Sequence, residues 1–139
     1  METINAMSSR SLQYYVIARR WTSDLEFFKI ETHFFECLLD DHFSQLCNDD
    51  HIDKLRAVSK KLAVLTHDEQ QAGELLSNQL KQLELMSEDI LPEDSDSLAS
   101  TQVQLEYLMT NLTREYREIK KELFPLITSV IRKHRIFNQ

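Results

Sequence analysis

Residues 97–137 read SLASTQVQLEYLMTNLTREYREIKKELFPLITSVIRKHRIF, and they carry the most regular apolar spacing in the chain. The row advances in steps of three and four through Leu105, Met109, Leu112, Tyr116, Ile119, Leu123, Leu126, Val130, Lys133 and Phe137. Such steps keep side chains on one face of an α-helix, so the stretch predicts one long amphipathic helix. Pro125 lies within it, but the spacing continues in phase, so we expect a bend there and not an end.

Two earlier segments repeat this spacing. The first, residues 10–47, carries Tyr14, Ala18, Trp21, Leu25, Phe28, Thr32, Phe35, Leu39, His42 and Leu46, beside a second row of Phe27, Glu31, Phe34 and Leu38. The second, residues 51–91, carries Leu55, Val58, Leu62, Leu65, Glu69, Ala72, Leu76, Gln79, Leu83, Met86 and Ile90. Residues 48–50 and 91–97 supply the stops and N-caps that separate the predicted helices.

The chain has one glycine and two prolines in 139 residues, so few positions favour tight turns. Few turns mean few and long elements, which favours helices over sheets. We therefore expect a single all-α domain over residues 1–139, an antiparallel up-down-up bundle of three long helices (10–47, 51–91 and 97–137). Residues 66–73 combine a possible capping box with Gly73, so a break there, giving four helices, is the alternative.

Charge, cysteines and motifs narrow the function classes. The net charge of −7 disfavours binding to nucleic acid or to anionic membranes. No stretch is apolar enough to span a membrane, and the opening residues lack a signal-peptide pattern. Cys37 and Cys47 are too far apart along a helix to bridge, which predicts free thiols in a reducing cytoplasm. Since no catalytic, phosphate-binding or metal-binding motif occurs, we expect no enzyme activity, no metal and no cofactor.

Charged side chains interrupt the predicted apolar rows near their middle. Counting from the first turn places Thr32 level with Glu69, with Glu31 nearby on the second row of the first helix. Counting from the second turn, where Ile90 pairs with about Leu98, places Glu69 level with about Ile119. Tyr116 and Arg117 are then its expected partners from the third helix. An unpaired buried carboxylate is costly, so we expect a polar core layer of Glu31, Glu69 and Arg117 that fixes the helix register. A pocket for a small ligand or a metal is the alternative interpretation.

The first predicted helix carries two adjacent aromatic rows, with Phe27 and Phe34 in one and Phe28 and Phe35 in the other. Covering both rows takes more than two partner helices. Because large apolar patches seldom stay exposed, we expect an interaction surface that includes Trp21, Phe27 and Phe34. Its partner is either a second copy of the chain, giving a homo-oligomer, or another protein.

Residues 21–31, WTSDLEFFKIE, resemble the opening helix of long-helix bundle proteins from Bacteroidetes-type bacteria. In those proteins a tryptophan, an apolar residue four positions later, an aromatic residue and a glutamate follow in the same order. The resemblance implies a bacterial cytoplasmic protein, and it provides no active-site residues.

These observations favour a non-enzymatic helical interaction or scaffold protein that acts by self-association or by docking a partner helix. The alternative is a ligand- or metal-binding bundle that uses the polar core layer. A layer closed by internal partners favours the first function, whereas a layer that opens onto a cavity favours the second.

Overall fold

The computed structural model describes residues 8–47 and 51–137, with side-chain placement as far as Arg132. Its helices are α1 (Ser9–Asp41), α2 (Phe43–Leu46), α3 (Ile52–Ser87) and α4 (Ser95–Phe137). The described ranges contain no strand. The three long helices pack on one another, which confirms the predicted all-α bundle.

α1 begins at Ser9 because the Ser8 side-chain oxygen accepts a hydrogen bond from the backbone N–H of Ser11, at 3.1 Å. The predicted first helix continued to residue 47, but the structure interrupts it at His42, whose φ of −111° and ψ of 14° are not helical. The Leu46 N–H still donates to the His42 carbonyl oxygen at 3.0 Å. The short α2 therefore extends the backbone bonding of α1, and Leu46 still reaches the core.

α3 is continuous through residues 66–73, so the possible break near Gly73 does not occur. The fourth helix is instead the short α2. α3 ends at Ser87, before the predicted end at residue 91, because Asp89 adopts a left-handed backbone with φ of 62°. The N–H groups of Ile90 and Leu91 then donate to the Leu85 carbonyl oxygen, at 2.9 and 3.2 Å, which closes the helix end.

α4 begins at Ser95, slightly earlier than the predicted start at residue 97. The side chain of Asp94 accepts a hydrogen bond from the Ser97 N–H at 3.1 Å and so caps the first turn. The helix continues through Pro125 to Phe137, which confirms that this proline does not end it.

α3 and α4 are antiparallel. The Gln79 side-chain amide donates to Gln102 at 3.1 Å, and the Lys61 ammonium donates to Glu122 at 2.7 Å. Later residues of α4 therefore lie beside earlier residues of α3.

α1 and α4 run in the same direction. The Ser8 N–H donates to Glu93 at 2.9 Å, and the Tyr116 hydroxyl donates to Glu31 at 2.8 Å, so residue numbers rise in the same direction along the two helices. Because α3 is antiparallel to α4, it is antiparallel to α1 as well. This is the predicted up-down-up arrangement. The start of α1 lies beside the second turn, which joins α3 to α4.

The hydrophobic core has two parts along the bundle axis. The larger part fills most of the bundle, and its fully buried side chains include Phe35, Leu65 and Leu112. A smaller cluster of Leu83, Met86 and Leu98 closes the end near the second turn.

The continuity of α3 predicts the effect of Gly73→Ala. A methyl group there would meet Leu25 Cδ2 at 3.5 Å and Lys29 Nζ at 3.7 Å, which are ordinary van der Waals distances. Since alanine favours a helix over glycine, we expect the free energy of unfolding to rise by about 0.5–1 kcal/mol, measured in urea. Ala72→Gly is the control and should destabilise, because Ala72 is fully buried in the same helix. A stability loss in Gly73→Ala would contradict a regular helix at this position.

Candidate functional site

The side chains of Thr32 and Glu69 meet in the buried interface between α1 and α3, with 2.6 Å between Thr32 Oγ1 and Glu69 Oε2. Thr32 Oγ1 also lies 2.8 Å from the Phe28 carbonyl oxygen. The Thr32 hydroxyl donates its one proton to both oxygens when Glu69 is ionised, whereas a protonated Glu69 donates to Thr32, which then donates to Phe28. Burial raises the pKa of Glu69 above its ordinary value, and the Thr32 hydroxyl and the Lys29 charge oppose this rise.

Glu31 and Tyr116 form the contact between α1 and α4 at a neighbouring level. The Tyr116 hydroxyl donates to Glu31 Oε1 at 2.8 Å. Burial, together with the hydrogen bond and charge of Glu31, raises the pKa of Tyr116 to about 12, so the phenol keeps its proton. The structure thus brings Glu31 to Tyr116.

Arg117 does not join this layer. Its side chain is exposed and lies with Arg114 and Lys121 along a shallow surface recess of α4. No hydrogen bond or ion pair among the described residues links Arg117 to Glu31 or Glu69. The expected three-residue layer is therefore a pair of separate contacts, each closed by a hydroxyl group.

Arg117 lies about 100° from Tyr116 around α4, outside the apolar row, so its side chain points to solvent. The register of α4 also differs from the prediction. The sequence count ran both helices up to the turn and so aligned residue 90 with residue 98. In the structure α3 stops at Ser87, and Gln79 already contacts the Leu98 carbonyl oxygen at 3.0 Å. α4 is therefore displaced along α3 by more than one helical turn from the predicted register. The count from the first turn was accurate, because Thr32 does meet Glu69.

Two acidic side chains, Asp68 of α3 and Glu115 of α4, lie next to each other between these helices. Glu115 Oε2 is buried and has no hydrogen-bond donor among the described residues. Burial raises the pKa of Glu115 to about 7, and the adjacent Asp68 contributes through a hydrogen bond and its charge. Below this pKa Glu115 holds a proton that it can donate to Asp68. The sequence pattern did not point to this pair, since neither residue lies on the apolar rows.

Gln79 and Gln102 form a fourth polar contact, which the sequence did not predict as a site. The Gln79 amide donates to Gln102 and to the Leu98 carbonyl oxygen, and the Gln102 amide donates to the Tyr14 carbonyl oxygen at 3.4 Å. Both glutamines are buried, and their hydrogen bonds link all three long helices. Gln79 already stood in the predicted apolar row of the second helix, and this was the available signal.

The described residues contain no group of three or more His, Cys, Asp or Glu side chains suited to hold a metal ion. His33 Nε2 and Cys37 Sγ lie 3.7 Å apart on the exposed side of α1, which provides two donors only. Chemically, the polar contacts of the core are suited to holding protons and aligning helices.

The predicted interaction surface divides between two sides of α1. Trp21 is partly buried against the core. Phe27 and Phe34 are 50% and 46% exposed, and they point outward. Phe27 is held in place by the rings of Phe28 and Tyr116, each with a centroid distance of 5.9 Å.

Three further apolar residues extend this outward surface. At about 100° per residue, five exposed side chains fall within about 60° of one another on the helix circumference. These residues, which we call the outer stripe, are Leu12, Val16, Phe27, Ile30 and Phe34. They lie opposite the inward-facing Ala18, Leu25 and Thr32. Leu12, Val16 and Ile30 lie outside the two apolar rows of the first predicted helix, so the sequence pattern pointed only to the two phenylalanines.

No helix in the described part of the chain combines the length and apolar character needed to cross a lipid bilayer. Comparisons with known proteins found no matching family model, no matching curated protein and no matching solved structure.

The contact between Glu69 and Thr32 predicts unequal effects of two conservative substitutions. Thr32→Val removes the partner of a buried carboxyl group and should lower the free energy of unfolding by about 1–3 kcal/mol. Glu69→Gln keeps a hydrogen-bond donor for Thr32 Oγ1, so we expect the free energy of unfolding to change by less than about 1 kcal/mol. Urea unfolding of both variants measures the difference. Equal losses would show that the protonated carboxyl group is not the donor.

The raised pKa of Glu115 predicts that stability falls as pH rises. Between about 4.5 and 7 the unfolded chain has released this proton while the folded protein holds it, so folding is favoured at the lower pH. We expect a loss of about 1–2 kcal/mol between pH 5 and pH 8, allowing for solvent screening. Glu115→Gln should reduce the fall in the free energy of unfolding with pH, measured in urea, and Glu106→Gln, an exposed control on the same helix, should not. An unchanged slope in Glu115→Gln would contradict the raised pKa of Glu115.

Proposed function

We propose that this chain is a non-enzymatic helical interaction protein that acts by self-association. Docking of a helix from another protein on the same surface is the second way in which it would act. The observation that carries the proposal is the outer stripe of α1. A helix that packs only within its own bundle needs one apolar side, whereas α1 has two opposite apolar sides.

The size of the outer stripe supports an interaction role. Its five side chains are between 46% and 68% exposed. From Leu12 to Phe34 the stripe extends about 33 Å along the helix, at 1.5 Å per residue. Single exposed apolar residues are normal, but five on one side of a helix, in two groups separated by Arg19 and Ser23, are typical of a protein interface.

The ligand- or metal-binding alternative has less support. The carboxyl groups of Glu31 and Glu69 are engaged by the hydroxyl groups of Tyr116 and Thr32. A binding site needs polar groups that are free to reach a ligand. The polar contacts instead favour a role in aligning the helices.

We also infer a reducing compartment such as the cytoplasm, in a bacterial cell. Cys37 and Cys47 are both exposed free thiols. Exposed thiols persist in a reducing environment and tend to oxidise outside it.

The outer stripe predicts concentration-dependent association. We expect the mass of the wild-type protein in sedimentation equilibrium to rise above that of one chain as its concentration increases. The variant Val16→Glu/Ile30→Glu should remain monomeric, because it places one charge in each half of the stripe. Both residues are exposed, so the fold should be unaffected, as measured by circular dichroism.

The matched control is Val64→Glu/Val103→Glu, which changes two exposed valines on α3 and α4. It should associate like the wild type. A wild-type protein that stays monomeric at all accessible concentrations would overturn self-association. An equal loss of association in both double variants would show that the outer stripe is not the surface through which the chains associate.

A further inference from the structure

The spacing of the outer stripe is symmetric about one residue, Ser23. Counting outward from Ser23, positions 27, 30 and 34 lie four, seven and eleven residues later, and positions 19, 16 and 12 lie the same distances earlier. Five of these six positions are the apolar residues of the stripe, and the sixth is Arg19. All of them, with Ser23, are exposed. A helix face that reads the same in both directions can pack against its own antiparallel copy.

We propose that two copies of the chain pair through α1 in an antiparallel arrangement, with the twofold axis at Ser23. This inference rests on the self-association proposed above and adds its geometry. A twofold interface is self-complementary, so residues equally far before and after the axis face each other. Leu12 then faces Phe34 of the second copy, and Val16 faces Ile30 of the second copy.

The remaining positions of the symmetric row also match. Arg19 faces Phe27 of the second copy, where a guanidinium over an aromatic ring is favourable. Ser23 faces its own counterpart on the axis, and its small side chain allows the two helices to approach closely. Because Phe27 is already packed on Phe28 and Tyr116, it loses little side-chain freedom on binding.

Charges flanking the stripe favour the antiparallel direction. On one flank, Arg19 comes beside Glu26 of the second copy, and on the other, Arg20 comes beside Asp24 of the second copy. All four side chains are exposed in the isolated bundle. A parallel pair in register would instead place Arg19 beside Arg19 and Arg20 beside Arg20. Opposite charges therefore meet in one direction and like charges in the other.

The bundle leaves room for this pairing. The outer stripe lies on the side of α1 opposite to the residues that α3 and α4 cover, so the two bundles can pack back to back. A stripe about 33 Å long and about 10 Å wide buries less than the area of a standard stable interface. The dimer is therefore expected to be reversible.

Cysteine cross-linking tests the direction and register. In one variant, Cys37→Ser and Cys47→Ser are combined with Ser23→Cys, so that the only thiol lies on the proposed axis. In the other, Cys47→Ser alone leaves the natural Cys37. In the antiparallel pair the two Cys37 residues lie about 42 Å apart along the helix axis, since each is fourteen residues from Ser23. In a parallel pair they would be adjacent.

We expect a short bismaleimide to join most of the Ser23→Cys variant into covalent dimers and to leave the Cys37 variant monomeric. Cross-linking through Cys37, or none through position 23 in a protein that sedimentation shows to associate, would overturn the antiparallel geometry while self-association stands. No association of any kind in sedimentation would overturn both proposals.

A charge exchange provides the second test. Glu26→Arg places two arginines side by side across the interface, so we expect the dissociation constant to rise about tenfold in sedimentation equilibrium. Adding Arg19→Glu restores the opposite charges and should recover most of that loss. Residues 19 and 26 are two turns apart on their own helix and do not contact each other there, so recovery reports contact between copies. No recovery would contradict the proposed register.

Discussion

A carboxyl group buried between helices has to find a hydrogen-bond partner, and the contact of Glu69 with Thr32 therefore determines how α1 lies against α3. Sliding either helix by one turn would leave this group in an apolar environment without a partner. In the observed alignment Gly73 lies against Leu25, and Phe35 reaches the centre of the core. The same alignment decides which side of α1 faces outward.

Polar contacts lie at two levels of the bundle, one near its middle and one near the second turn, and they join different helices. Thr32 and Glu69 join α1 to α3, Tyr116 joins α4 to Glu31 of α1, and the buried glutamines near the second turn join all three helices. Long helices with similar apolar rows could otherwise slide past one another, because such rows match again after each repeat. Buried polar groups lower stability but penalise every wrong register, which is their best-attested structural role.

The outer side of α1 follows from this internal order. Once the polar contacts hold Leu25, Phe28 and Thr32 inward, the opposite side of the helix presents a second apolar row to solvent. That row has the length of a small interface, a symmetric spacing and flanking charges of both signs. α1 thus packs one side in the bundle and presents a second apolar side to solvent.

The sequence by itself determined the number of long helices, their approximate ends, their up-down-up order and the meeting of Thr32 with Glu69, because local periodicity and a short first turn suffice for each. Only the tertiary structure decided the register of α4, since it depends on the left-handed backbone at Asp89, an angle that no periodic pattern encodes. Tyr116, and not Arg117, is the partner of Glu31, because Tyr116 lies on the inner side of α4 and Arg117 lies about 100° further around the helix. The outer stripe was visible as residue types, but its exposure required knowing which side of α1 the other helices cover.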